Sequence, residues 1–184
     1  MNIRKAIVED SEAIAALLML ATGEVMYKFI GEQDYDKAKD FLLHFVKSED
    51  NQYSFQNCYV ADEEGEVLAA VLVYDGAKLG ELRKPVLEYV HKHFDSNLKV
   101  EDETKEGEFY IDSLGVASTQ QGKGLGSTLL SFLIDEIVRK MGKTLGLLVD
   151  KTNPGAKKLY LKLGFKPIGE KKLLDLSLEH LQLK

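Results

Sequence analysis

Residues Gln120-Gln121-Gly122-Lys123-Gly124-Leu125-Gly126-Ser127 set three alternate glycines between an apolar strand pattern, Phe109 to Val116, and a long amphipathic stretch that begins at Leu125. A glycine turn held this way calls for a strand–turn–helix unit, and so for a chain of mixed α and β structure. It also makes an anion site. The first turn of a helix carries backbone N–H groups without intrahelical partners, and the helix dipole adds partial positive charge there. Glycines let a phosphate approach the backbone closely, and Lys123 adds charge at the rim. The same glycines also suit a flexible turn with a glycine N-cap, or close helix–sheet packing. Two nucleotide patterns fit poorly. The Walker spacing fails because Lys123 is followed by Gly124 rather than Ser or Thr. The dinucleotide spacing G-x-G-x-x-G accepts Gly122 and Gly124, but Ser127 holds its last position. Asp150, at the end of the next apolar run, keeps a nicotinamide-dinucleotide reading open, although few residues follow to build a doubly wound sheet.

The 184 residues suit a single domain spanning 1–184, and 45% apolar with 29% charged residues is a globular composition. No unbroken apolar run reaches the length of a membrane span, and MNIRKAIVED lacks the apolar segment of a secretory signal. Cys58 is the only cysteine, which rules out an intrachain disulfide and paired-cysteine zinc sites and fits a reducing, cytoplasmic setting. A net charge of -6 argues against nucleic acid and suits a cationic partner as well as plain solubility. His91 and His93 lie two apart, on different faces of a helix, so no metal site is expected.

Apolar spacing predicts a short opening strand at Ile3 to Ile7, then a helix capped by Asp10 or Ser11 with Ile14, Leu17, Leu18 and Ala21 inward. Tyr27, Phe29 and Tyr35 fall in a loop before a second helix, about 35–47. Cys58 to Tyr74 reads as a hairpin around Asp62-Glu63-Glu64-Gly65. Residues 76–106 form an insertion with one helix, Pro85 near its first turn, and a solvated acidic end, EDETKEGE. The remainder reads strand–helix–strand–helix–strand. Gly142 ends the first of these helices, and Asn153-Pro154 opens the second. The tail, Leu178 to Leu183, alternates like an edge strand, a surface on which a homodimer could form.

Gln121-x-x-Gly124-x-Gly126 resembles the Q/R-x-x-G-x-G/A signature of the GNAT superfamily of N-acetyltransferases. Ile111-Asp112-Ser113-Leu114-Gly115-Val116 resembles the strand before that signature. Asn153-Pro154-Gly155-Ala156-Lys157-Lys158-Leu159-Tyr160 with Gly164-Phe165 resembles the family's second motif block, so the likeness covers about 108–170. It implies a mixed, mostly antiparallel twisted sheet flanked by helices, with two central strands splayed into a V-shaped cleft for acetyl-CoA. The backbone of Leu114, Gly115 and Val116 would bind the pantetheine arm. The amides of Gln121, Gly122, Lys123, Gly124, Leu125, Gly126 and Ser127 would cradle the pyrophosphate. Asn153 would reach the arm from the opposite wall, and Tyr160 would be the general acid for the leaving thiolate. As ordinary structure, Asn153 is a helix N-cap and Tyr160 a packing residue.

An attacking amine needs a base. Strand alternation puts Glu108, Tyr110, Asp112, Leu114 and Val116 on one face, which makes Asp112 and Glu108 the candidates. The expected activity is acetyl transfer to an amine-bearing acceptor, small molecule or protein, by direct attack in a ternary complex. A non-catalytic acyl-CoA-binding sensor is the alternative, and an NAD-dependent oxidoreductase the more distant one.

Overall fold

A computed structural model describes residues 1–184. Seven strands form one sheet: β1 (Asn2–Lys5), β2 (Cys58–Glu63), β3 (Glu66–Asp75), β4 (Phe109–Val116), β5 (Leu145–Asp150), β6 (Lys166–Leu173) and β7 (Leu176–Leu183), in the order β1-β2-β3-β4-β5-β7-β6. Every pairing is antiparallel except β4 with β5. That parallel pair is joined by α4 (Leu125–Leu133), as a parallel crossover requires. Helices α1 (Ser11–Ile30), α2 (Tyr35–Val46) and α3 (Leu79–His93) cover one face of the sheet, and α4 and α5 (Pro154–Lys162) the other. This is the mixed, mostly antiparallel sheet flanked by helices that the resemblance implied.

α1 runs through the segment expected as a loop. A glycine inside a helix costs only about 1 kcal/mol, so Gly23 does not stop it. Gly31 does, at φ 74, with its amide donating to Tyr27 O at 2.9 Å. Tyr27 and Phe29 are therefore helical, and Tyr35 opens α2 behind the Asp34 cap. By length and composition Val8–Ile30 could cross a bilayer, which a search for unbroken apolar runs misses because Glu12 and Glu24 interrupt it. In this fold Ile14, Leu18, Met26 and Phe29 are instead buried against the sheet and α2. Pro85 also sits deeper than expected, as the seventh residue of α3. α4 continues past Leu133 as a wider π-helical stretch, Ile134–Lys140, and stops at Gly142, φ 63.

Two more expectations change. The tail strand β7 is not an edge: it lies between β5 and β6, and Leu181 is fully buried. β6 is the outer strand, protected by Pro167 and by Lys166, Lys171 and Lys172, so the tail offers no free edge to a second copy. The acidic segment after α3 is not simply solvated either, since Glu103, Thr104 and Glu108 are buried.

α1 crosses β4 at Gly115. A Cβ there would lie 2.0 Å from Leu17 O, backbone against backbone. Gly115→Ala is expected to destabilise the protein by about 1–3 kcal/mol or more, read as a lower urea midpoint. A wild-type midpoint would show that α1 does not seat there.

Candidate active site

The site begins where the sheet opens. β4 and β5 pair only at Phe109↔Leu145, Tyr110↔Gly146 and Ile111↔Leu147. Beyond Ile111 β4 stays with β3, and beyond Leu147 β5 stays with β7, so the two strands part. A bulge marks the point: Leu72 pairs with Ser113 and Val73 with Ile111, which leaves Asp112 unmatched. A bulge bends its strand and turns its side chains, and such irregularities gather beside active sites. Here it breaks the alternation expected for β4. Tyr110 packs with the α1–α3 layer, whereas Leu114 and Val116 pack with the α4 layer. The gap becomes a cavity of about 970 Å³, lined by β4, β5, α1, the start of α4 and one side of α5.

Leu114, Gly115 and Val116 line that cavity along the edge of β4 that β5 has left. At its mouth lies the glycine loop. Gly122 (φ 77) and Gly124 (φ 86) adopt backbone conformations that side chains resist, and a Cβ at either would meet open space. Thr128 N, donating to Gly124 O at 3.0 Å, is the first amide of α4 to close a helical turn. The amides of Leu125, Gly126 and Ser127 precede it, no acidic side chain stands in the first turn, and all three residues line the cavity. A Cβ on Gly126 would rest 3.5 Å from Val116 Cγ2, so small size here also lets α4 approach β4. Gln121 lines the cavity, and its Nε2 donates to Val116 O at 3.2 Å. Lys123 does not line it: its ammonium turns back to Gln120 Oε1 at 3.3 Å.

Asn153 lines the opposite wall while its Oδ1 accepts from Ala156 N at 3.1 Å, so it caps α5 from within the cavity. Tyr160, one and a half turns along α5, lines the cavity and packs edge-on to Phe165. Burial raises its phenol above the usual value, which keeps the hydroxyl protonated at neutral pH. Asp150 also lines the cavity, but its Oδ1 accepts from Thr152 N and Thr152 Oγ1, both at 2.7 Å. Those bonds tie Oδ1 into the turn that leads to α5.

The two carboxylates on the approach to β4 part company. Asp112 lines the cavity. Its Oδ2 accepts from Tyr74 Oη and Gln52 Nε2, each at 2.8 Å, and its Oδ1 from Ser113 Oγ at 2.9 Å. Glu108 does not line it. It accepts from His180 Nε2 at 2.9 Å, Gln182 Nε2 at 2.7 Å and Thr104 Oγ1 at 2.7 Å. Burial alone would raise its carboxyl, but these hydrogen bonds outweigh burial and hold it below the usual range. The expectation of Glu108 as base is thus corrected: it pins β4 to β7. Gly146 makes room, since a Cβ there would lie 1.9 Å from Glu108 Oε2.

Glu103 was hidden in a charged run with no periodicity to mark it. It lines the cavity, bonded to Arg83 Nη2 at 2.5 Å and to Gln52 Nε2 at 2.7 Å. Gln52, in turn, lies in a segment the sequence left unassigned.

A model described as the acetyltransferase (GNAT) family matches residues 24–165. The chain is 31% identical over 114 residues to the acetyltransferase Atu2258 of Agrobacterium fabrum, covering 60% of this chain and 82% of that one. Its fold matches the N-acetyltransferase from Staphylococcus aureus Mu50 with a TM-score of 0.86 at 23% identity, over the whole of both chains. It also matches yncA of Salmonella typhimurium, a putative acetyltransferase solved with acetyl-CoA, at a TM-score of 0.56 and 21% identity, over 100% and 93% of the chains.

Glu108→Ala leaves two buried donors, Thr104 and His180, and the half-buried Gln182 without an acceptor and is expected to cost on the order of 3 kcal/mol of stability. A carboxyl held below its ordinary 4.5 stabilises the fold above that pH and loses this contribution as pH falls through the depressed folded value. Unfolding free energy against pH should show that loss in the wild type and not in the variant. An identical acid limb in both would refute the anchoring role.

Proposed function

The chain belongs to the GNAT family of acetyltransferases, and from that premise we propose that it transfers the acetyl group of acetyl-CoA to a primary amine by direct attack in a ternary complex. Acetyl-CoA is the family's acyl donor, and it supplies an activated acyl group and a thiolate that leaves. The observation that carries the reading is one cavity that holds the unpaired edge of β4, the open amides of α4 and the Tyr160 phenol together.

Each part has a physical task. The Leu125, Gly126 and Ser127 amides, with the helix dipole behind them, suit a pyrophosphate, and the open space at Gly122 and Gly124 admits it. The free edge of Leu114–Val116 offers hydrogen bonds to an extended amide-bearing arm, and the Val116 N–H suits polarising a thioester carbonyl. Asn153 faces that edge from across the gap. Tyr160 keeps its proton at neutral pH and gives it to the departing sulfur, whose ordinary thiol pKa is about 8.5. Cys58 takes no part: it is fully buried on β2, and burial pushes its thiol up to about 12. The lone cysteine fits the reducing, cytoplasmic setting we propose.

Acetyl-CoA at 100 times its Kd should stabilise the ligand-free protein by about 2.7 kcal/mol in a thermal-shift titration, while NAD gives no shift. Gly124→Val should abolish that shift without unfolding the protein. Absence of any acetyl-CoA effect on the wild type would overturn the cofactor assignment. Tyr160→Phe should lower kcat roughly 100-fold or more and leave acetyl-CoA affinity nearly unchanged. Unaltered turnover would remove Tyr160 from the chemistry, and no amine-dependent thiol release by the wild type would favour an acyl-CoA sensor.

A further inference from the structure

We propose that Glu103 is the proton acceptor of this reaction and that, beside Asp112, it selects a small primary amine that arrives as an ammonium ion with an apolar body. This deepens the acetyl-transfer reading and rests on it.

Every fully occluded side-chain nitrogen and oxygen in the protein has a hydrogen-bond partner. A buried polar group without one must therefore reach open space. Glu103 is 5% exposed, and all its hydrogen bonds fall on Oε1, from Arg83, Gln52 and Tyr74. Its Oε2 takes none and opens on the cavity that Glu103 lines. Asp112 differs, with both oxygens already engaged. Tyr53 and Tyr110 are each 2% exposed, neither hydroxyl meets a protein partner, and both line the same cavity. One free carboxylate oxygen and two phenols thus converge on a pocket end that nothing in the protein fills.

Charge and shape name the ligand class. Arg83 is the only cation in an ion pair with either carboxylate, and Lys171 reaches only the Glu103 backbone oxygen, so the pair carries excess negative charge. An ammonium ion matches it. Leu20 and Val25 of α1 and Leu173 and Leu176 of the β6–β7 hairpin give the same pocket apolar walls. The hairpin is tied down at this end: Leu174 N donates to Glu101 Oε2, and Lys171 Nζ to Glu103 O, each at 2.9 Å. Lys28 and Asp175, 3.8 Å apart, add a further tie. A hairpin tied down beside these carboxylates narrows this end of the cavity, which suits a small molecule better than a running polypeptide.

The chemistry balances. The ammonium N–H bond breaks, its proton passes to Glu103, and the freed nitrogen lone pair attacks the thioester carbonyl. The C–N bond forms and the C–S bond breaks. The sulfur takes the Tyr160 proton, the nitrogen gives up a second proton that restores Tyr160, and Glu103 releases its own to solvent. Burial and the Asp112 charge raise the Glu103 carboxyl to about 7 against the pull of Arg83, which suits a base working at neutral pH. The charged and titratable groups around it are Arg83 from α3, Tyr74 from β3, Tyr110 and Asp112 from β4, Tyr53 from the segment before β2 and Lys171 from β6.

The experiment measures CoA thiol release by the wild type with 2-phenylethylamine, 2-phenylethanol and a lysine-containing peptide, and follows kcat/KM against pH. Turnover of the amine alone, with an acid limb near pH 7, is expected. Glu103→Gln should lower kcat roughly 100- to 10,000-fold and erase the limb, with acetyl-CoA affinity retained as proof of folding. Asp112→Asn gives a second readout, because loss of its charge should move the limb to lower pH. Turnover of the peptide but not the small amine would overturn the acceptor class. An unchanged limb in Glu103→Gln, or an unmoved one in Asp112→Asn should the first variant not fold, would overturn the base assignment. Neither result touches the acetyl-transfer reading, which fails only if no amine supports release.

Discussion

The single parallel pairing of the sheet lasts for three residue pairs and then stops, and most of what the molecule can do follows from that break. Backbone N–H and C=O groups inside a fold are strongly driven to pair, so an interior strand edge without a partner asks for a ligand. β4 has such an edge from Asp112 onward, opposite β5. The bulge at Asp112 keeps β4 on β3 while it bends away from β5. It also sends Leu114 and Val116 to the α4 side, where they support the glycine loop, and leaves Gly115 to take the close crossing of α1. One extra residue in one strand thereby opens the cavity, supports the start of α4 and takes the close crossing of α1.

Two buried glutamates five residues apart show how surroundings rather than residue type decide a role. Glu108 meets three donors and no nearby like charge, so its carboxylate is stabilised and its oxygens are spent on structure. Glu103 meets Arg83, Gln52 and Tyr74 on one oxygen, while the neighbouring Asp112, which shares the Gln52 and Tyr74 donors, opposes its charge. The first is held below the ordinary carboxylate range and the second pushed above it. Proton acceptance needs the second kind of environment, in which the charged form is disfavoured and one lone pair is free.

Much of this was legible along the chain. Helical and strand periods located nearly every element, because each records which side of a segment faces a core. Gly122, Gly124, Asn153 and Tyr160 could be singled out since their placement depends on local backbone: positive φ, a helix start, a position along one face of a short helix. At the site and along the tail, non-local contacts override the local pattern. Glu108 was assigned to the cleft by strict alternation, which the Asp112 bulge breaks. The tail read as an edge because alternation cannot say whether a neighbour lies on one side or two, and β6 folds back to cover it. Glu103 stood in an acidic run that looks like any solvated loop, and only packing against α3 and β4 buries it.

By itself, then, the sequence determined a mixed α/β chain with a glycine turn opening a long helix, and with Asn153 and Tyr160 placed in order along a later one. These follow from periodicity and glycine conformation, properties a few neighbouring residues share. Only the tertiary structure decided where the sheet opens, which carboxylate keeps a free oxygen, and that the β6–β7 hairpin is tied to the segment that carries Glu103. Those outcomes depend on burial and on pairs such as Gln52 with Asp112 and Lys171 with Glu103, 60 and 68 residues apart, which exist only once the chain has folded.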